Sequence, residues 1–183
     1  MSGESRVPRV AIPFMAVVFL CVAPVIASAR PVGDYDEVSG WLAQAKTEAV
    51  ELQRDAEEMN TFMRDKISWQ VYAARLDSMK QHVNNMAELF GRISNAELAG
   101  PWQLQAVEQT TPLLDEMGGD VTMMIVYLKA APDRLMFTDF PDYVSAETDV
   151  AARMTALISD YVAYGEAKEK SEELEYRLEL PPS

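Results

Sequence analysis

The stretch WQVYAARLDSMKQHVNNMAELFGRI, residues 69–93, carries the pattern that decides the fold. Trp69, Leu76, Val83 and Phe90 stand seven residues apart, and Tyr72, Met79, Met86 and Ile93 form a second row three residues on. All eight of these positions are apolar, which is the 3.5-residue spacing of helices that pack knobs into holes. A helix is expected here, with Ser68 at its N-cap.

Working outward, the preceding segment repeats the pattern. Val38, Ala45, Leu52 and Met59 are seven apart, with Leu42, Ala49, Ala56 and Met63 flanking them. Trp41 and Phe62 widen the face, while Glu48, Glu51, Asp55 and Glu58 are placed away from its centre. This predicts a helix over 34–64. The short link Asp65-Lys66-Ile67 makes the two helices antiparallel neighbours.

A third helix is predicted over 101–130, opening on Gly100-Pro101. Its row is Val107, Leu114, Val121 and Leu128, with Met117 and Met124 between. Pro112 and Gly118-Gly119 disturb it. The heptad phase survives both, so one kinked helix is expected, with two shorter helices as the alternative. Ser94-Asn95-Ala96-Glu97 matches a capping box, but Gly100-Pro101 follows too soon for a long helix there. A loop from Pro132 to Phe140 leads to a fourth helix near Pro141, with the row Val150, Met154, Leu157, Tyr161 and Tyr164.

Residues 166–180 then turn to Glu, Lys and Arg, with Leu174, Leu178 and Leu180 as a short apolar edge. No period-two strand pattern or hairpin signal competes. The expected fold is all-α, an antiparallel up-down-up-down four-helix bundle with a kinked third helix. The buried set should include Leu76, Val83, Met86, Leu114, Val121 and Leu157.

Residues 1–29 read as a signal peptide. Arg6 and Arg9 precede an apolar run from Val10 to Val22, and Ala27-Ser28-Ala29 supplies a cleavage site before Arg30. The run is shorter than the ~20 residues a spanning helix needs. Leu20 stands where a lipoprotein signal would place a small residue before Cys21. The organisation is therefore a signal peptide over 1–29, a bundle over 30–165, and a charged helical or disordered tail over 166–183. The protein is expected to be exported, to the periplasm or beyond the cell.

Loss of that segment, with its two Arg and one Glu, moves the net charge from −13 to −14. So acidic a chain repels phosphate backbones and anionic surfaces, which disfavours nucleic-acid and membrane partners. Cys21 is the only cysteine, so the processed chain has no disulfide, thiolate metal site or cysteine nucleophile.

Ser68-Trp69-Gln70, Lys80-Gln81-His82-Val83-Asn84, Pro101-Trp102-Gln103, Pro112-Leu113-Leu114 and Tyr161-Val162-Ala163-Tyr164-Gly165 resemble motifs of uncharacterised exported bacterial four-helix-bundle proteins. The resemblance covers roughly 35–170. It implies the bundle and export, and no activity or functional residue.

The candidate chemistry is sparse. His82, the only histidine, falls at the edge of the core and is read as a boundary residue rather than a metal ligand or base. Haem attachment through Cys-x-x-Cys-His is absent, and Met79 stands where a di-iron Glu-x-x-His would need its Glu. No Gly-x-Ser-x-Gly or phosphate-binding loop occurs. Met59, Met79, Met86, Met117, Met124 and Met154 read as core filling rather than a Cu(I) site, with Met123, Met124 and Met136 the trio to examine. Asp55, Glu57 and Glu58, and Asp139 with Asp142, read as solvated acidic clusters. Trp41, Trp69 and Trp102 read as plugs at the bundle ends, Trp102 towards the Trp41 end, with ligand stacking as the sharper reading. No catalytic, cofactor-binding or metal residue is assigned and no cofactor is expected. The expected role is non-enzymatic interaction or scaffolding, through a protein partner or self-association. The alternative is a small-ligand or metal-binding bundle using His82 or the methionines.

Overall fold

The computed structural model describes residues 32–63, 65 and 67–179, and the side chains from Glu37 onward. The signal-peptide reading of 1–29 and Leu180 lie outside the described residues. The helices are α1 (Val32–Phe62), α2 (Trp69–Asn95), α3 (Pro101–Ala130) and α4 (Phe140–Arg177), with a short 3-10 helix, Pro132–Phe137, between α3 and α4. No strand occurs among the described residues. All of these helices belong to one compact unit. Each packs on the next in the chain, α1 also packs on α4, and α1 and α3 barely touch.

The α1 stripe is buried as its spacing dictates: Val38, Leu42, Ala45, Ala49, Leu52, Ala56 and Met59 all face inward. Small alanines alternate with Leu and Met, so a neighbouring backbone can come close. Thr155 of α4 does so, its hydroxyl donating to the Ala49 carbonyl at 3.0 Å, and Thr148, whose hydroxyl donates to Val144 at 3.0 Å, comes within 3.5 Å of the Ala56 carbonyl. In α2, Tyr72, Leu76, Met79, Met86, Phe90 and Ile93 are buried, Val83 is half-buried, and Trp69 is 44 % exposed.

Helix α3 is continuous through Pro112. Pro112 and Glu108 are both exposed, so the Glu108 carbonyl that loses its donor faces water. Just before the proline, the Thr110 and Thr111 hydroxyls donate to the carbonyls of Ala106 and Val107 at 2.6 and 2.7 Å. The buried row Val107, Leu114, Met117, Val121, Met124 and Leu128 runs the length of the helix.

Three expectations need correction. The α4 row is Phe140, Val144, Glu147, Ala151, Met154, Ile158, Val162 and Gly165; Val150 is buried beside it, Leu157 and Tyr161 are half-buried, and Tyr164 is exposed. Starting the count at Val150 set a phase that drifted off the seam, whereas Phe140 and Val144 hold it. Asp55, expected outside the stripe, is fully buried. At Ser94–Glu97 no further helix starts, as the nearby Gly100-Pro101 implied: α2 ends there with Ala96 as its C-cap, its N–H donating to Ile93 at 3.2 Å. The segment from Pro132 is a 3-10 turn whose Leu135 reaches the core. The 166–177 tail is helical, a direct continuation of α4.

Candidate functional site

Among the described residues, four places carry chemistry or open surface. The first is a polar seam between α1 and α2. Arg75 donates to the buried Asp55 at 2.6 Å and also pairs with Glu58. His82 sets Nδ1 2.6 Å from Glu48 and Nε2 3.4 Å from the Ser78 hydroxyl. Asn85 donates to the other Glu48 oxygen at 3.2 Å. Ser78, His82 and Glu48 thus stand in the order of a hydrolase relay. The order alone does not make one: Ser78 lies inside α2, where the surrounding backbone N–H groups are committed to helix bonds, so no oxyanion donors face it. The 3.4 Å contact is also beyond a good O–H···N bond. The seam ties two helices together.

The second place is Glu147 in α4. It occupies a heptad position between Phe140 and Met154, is fully buried, and neither carboxyl oxygen has a hydrogen-bond partner. Burial pushes its pKa up to about 9, with Asp120 and Glu116 of α3 adding to the rise. Asp120 is raised too, by its own burial first and then by Glu116. Glu147 therefore sits as a neutral acid at pH 7. Among the described residues, no group of three or more His, Cys, Asp or Glu is placed to hold a metal ion.

The third place surrounds Trp69. A groove of about 490 Å³ between α2 and α3 is lined by Trp69, Ala73, Leu76, Ile125, Leu128 and Pro132, with Asp77, Lys80 and Lys129 also on its walls. A second hollow of about 450 Å³ shares Trp69 and Pro132 and runs past Ile67 to Met136 and Phe137. Phe137 is 89 % exposed and Met136 46 %.

The region of Trp102 is built differently. Trp102 is buried, packs edge-on to Tyr164 at 5.8 Å, and presses on Gly165, where a Cβ would lie 2.5 Å from its ring. Beside it, the Gly100 N–H donates to Gln103 Oε1, Gln103 donates to Ser39 Oγ, and Ser39 donates to Glu169, at 2.6, 3.2 and 3.1 Å. Three helices are laced by that chain. A hollow of about 440 Å³ flanks Trp102, with Asp160 and no cation on its wall.

Of the methionines, Met59, Met79, Met86, Met117, Met124 and Met154 are fully buried, whereas Met123 and Met136 are exposed, so the trio Met123, Met124 and Met136 does not share an environment. Trp102 plugs the core and Trp69 does not. The apolar heptad pattern alone does not reveal the Arg75–Asp55 pair, the Ser78–His82–Glu48 contacts or the burial of Glu147. Glu147 had a signal: Phe140, Glu147 and Met154 are seven apart. No protein family, curated protein or solved structure matches the chain. No described helix is long and apolar enough to cross a membrane.

Proposed function

We propose that the protein is an exported, non-enzymatic interaction protein, an antiparallel up-down-up-down four-helix bundle with α3 bent at Pro112, whose contact surface is the region of Trp69 and Phe137. The hydrogen bond of Thr155 to Ala49 and the approach of Thr148 to Ala56 support the antiparallel order, since numbers rise in α4 as they fall in α1. The leader-like Arg6, Arg9 and Ala27-Ser28-Ala29 support export.

The observation that carries the reading is the exposure of Phe137, Met136 and Trp69 around shared apolar hollows. A monomer gains nothing by holding such side chains in water, and clustered exposed apolar surface marks a contact site. The alternative centred on His82 or the methionines has less behind it, because His82 is engaged by Glu48 and most methionines fill the core.

The test replaces Trp69 and Phe137 together by serine. The double variant should keep the wild-type melting temperature within a few degrees and lose partner capture or self-association in the compartment that receives it. Retained association in a folded variant would refute the reading. Mass spectrometry of the exported protein should give a chain starting at Arg30; retention of Cys21 would defeat the export part.

A further inference from the structure

The geometry points to the α2–α3 groove beside Trp69 as a binding site for an anionic single-chain amphiphile, a free carboxylate with an alkyl tail. The inference rests on the reading of the Trp69 region as a contact surface and names the chemistry of what enters it.

Charge selects the class. The chain carries a net charge of −13, and several of its described cations are matched to acids: Arg54 to Glu51, Arg75 to Asp55 and Glu58, Arg92 to Glu88, Arg153 to Glu116, Lys168 to Glu172. Lys80 and Lys129, like Lys46, Arg134, Lys170 and Arg177, make no side-chain ion pair or hydrogen bond among the described residues, and they are the two of these that stand, exposed, on the groove walls. Lys129 lies in the last turn of α3, where a cation also complements the helix C-terminus. Lys80, in the body of α2, has no such structural use. The acid on the same wall, Asp77, accepts from Gln81 at 3.3 Å.

Shape selects the tail. Ala73, Leu76, Ile125 and Leu128 make an apolar floor beside the Trp69 ring, and about 490 Å³ falls within the range of small-molecule sites, ~300–1,000 Å³. The second hollow shares Trp69 and Pro132 with the groove, reaches Met136 and Phe137, and carries Asp65 and Asp133. Those acids repel a second carboxylate, so the head group is directed to the lysines and the tail to Trp69 and beyond.

The experiment uses the full purified chain and three probes below their micelle concentrations: dodecanoate, dodecanol and dodecyltrimethylammonium. Binding is read by calorimetry and by Trp69 emission, with Trp69→Phe identifying that signal. Dodecanoate should bind one to one, at least about tenfold more tightly than either other probe. Lys80→Gln with Lys129→Gln should weaken dodecanoate about tenfold, leave dodecanol unchanged and leave the melting temperature unchanged. Equal binding of the three probes, or indifference to the double lysine change, would overturn the inference. So would association with phosphatidylglycerol vesicles without binding of monomeric dodecanoate. If dodecanoate fails while the Trp69 and Phe137 serine variant still loses association, only the ligand class falls. If that variant also associates normally, the contact surface falls with it.

Discussion

Trp102 and Trp69 both stand in the first turn of a helix, yet one is 9 % exposed and the other 44 %. Trp102 enters the core because Gly165 leaves room for its ring and Tyr164 meets its edge. Around it, Gln103 and Ser39 close a hydrogen-bonded chain across α3, α1 and α4. Trp69 has hollows on either side and the exposed Phe137 nearby. The same residue type thus serves cohesion in one region and leaves surface open in the other. What separates them is the neighbour each helix offers: a glycine against Trp102, a proline-led 3-10 turn against Trp69.

The comparison is broken most readily by removing each indole. Trp102→Ala should cost about 3–5 kcal/mol, as large core truncations do, whereas Trp69→Ala should cost about 1 kcal/mol because half its surface already meets water. Denaturant midpoints at unchanged slope measure both. Similar losses would mean that the Trp69 region is also structural core.

Glu147 sharpens the contrast within the core. It lies seven residues along α4 from Phe140, whose ring packs on Tyr72 at 5.7 Å, and so belongs to the Trp69 half. Its folded pKa of about 9 exceeds the ordinary 4.5. Between those values the folded chain holds a proton that the unfolded chain has lost. The stabilising contribution is therefore full below about pH 4.5 and disappears as pH rises through about 9. Unfolding should be easier at pH 9 than at pH 5. Glu147→Leu should flatten that dependence and raise stability at pH 8 by about 1–4 kcal/mol, since an apolar residue suits a heptad position. An unchanged pH profile in the variant would show that Glu147 is not the group responsible.

Gly165→Ala should destabilise by about 1–3 kcal/mol through overpacking against Trp102, although alanine favours a helix by ~1 kcal/mol over glycine. In a Trp102→Ala background the same change should turn stabilising, and a double-mutant cycle reads the reversal. The smallest effect is expected from truncation after Gly165. Beyond Glu169 most of the tail is exposed, with Tyr176 at 88 % and Leu178 at 60 %. The helical domain should keep its helical signal, with a melting temperature lowered by no more than a few degrees through loss of the Ser39–Glu169 hydrogen bond. Unfolding on truncation would make the tail core structure.

Heptads made most of the architecture legible, because burial on α1 to α3 follows spacing with few exceptions. Val38 to Met59 face inward as counted, and so do Tyr72, Leu76, Met79, Met86, Phe90 and Ile93, whereas Val83 is only half-buried and Trp69 stays 44 % exposed. The α4 phase was misread because its seam contains Glu147 and small residues, which an apolar count passes over. Asp55 escaped for a related reason: an acid beside a stripe reads as solvated until a partner such as Arg75 arrives from another helix. The Trp69 hollow was not legible at all. It depends on where the 3-10 turn at Pro132–Phe137 folds back, a matter of tertiary position. Trp69 and Trp102 stand at helix starts as expected, whereas Trp41 lies well inside α1, and nothing local separated the plug from the open ring.

The most direct test of the division between the two regions is site-specific photo-crosslinking in the native compartment. A photoreactive phenylalanine analogue is placed at Phe137, and in a second protein at Tyr164, which is 55 % exposed beside Trp102. Both positions are open to solvent, so exposure alone does not decide the outcome. The account predicts a discrete adduct from position 137, lost when Trp69 is also changed to serine, and none from position 164. Adducts from 164 alone, or equal adducts from both, would contradict it.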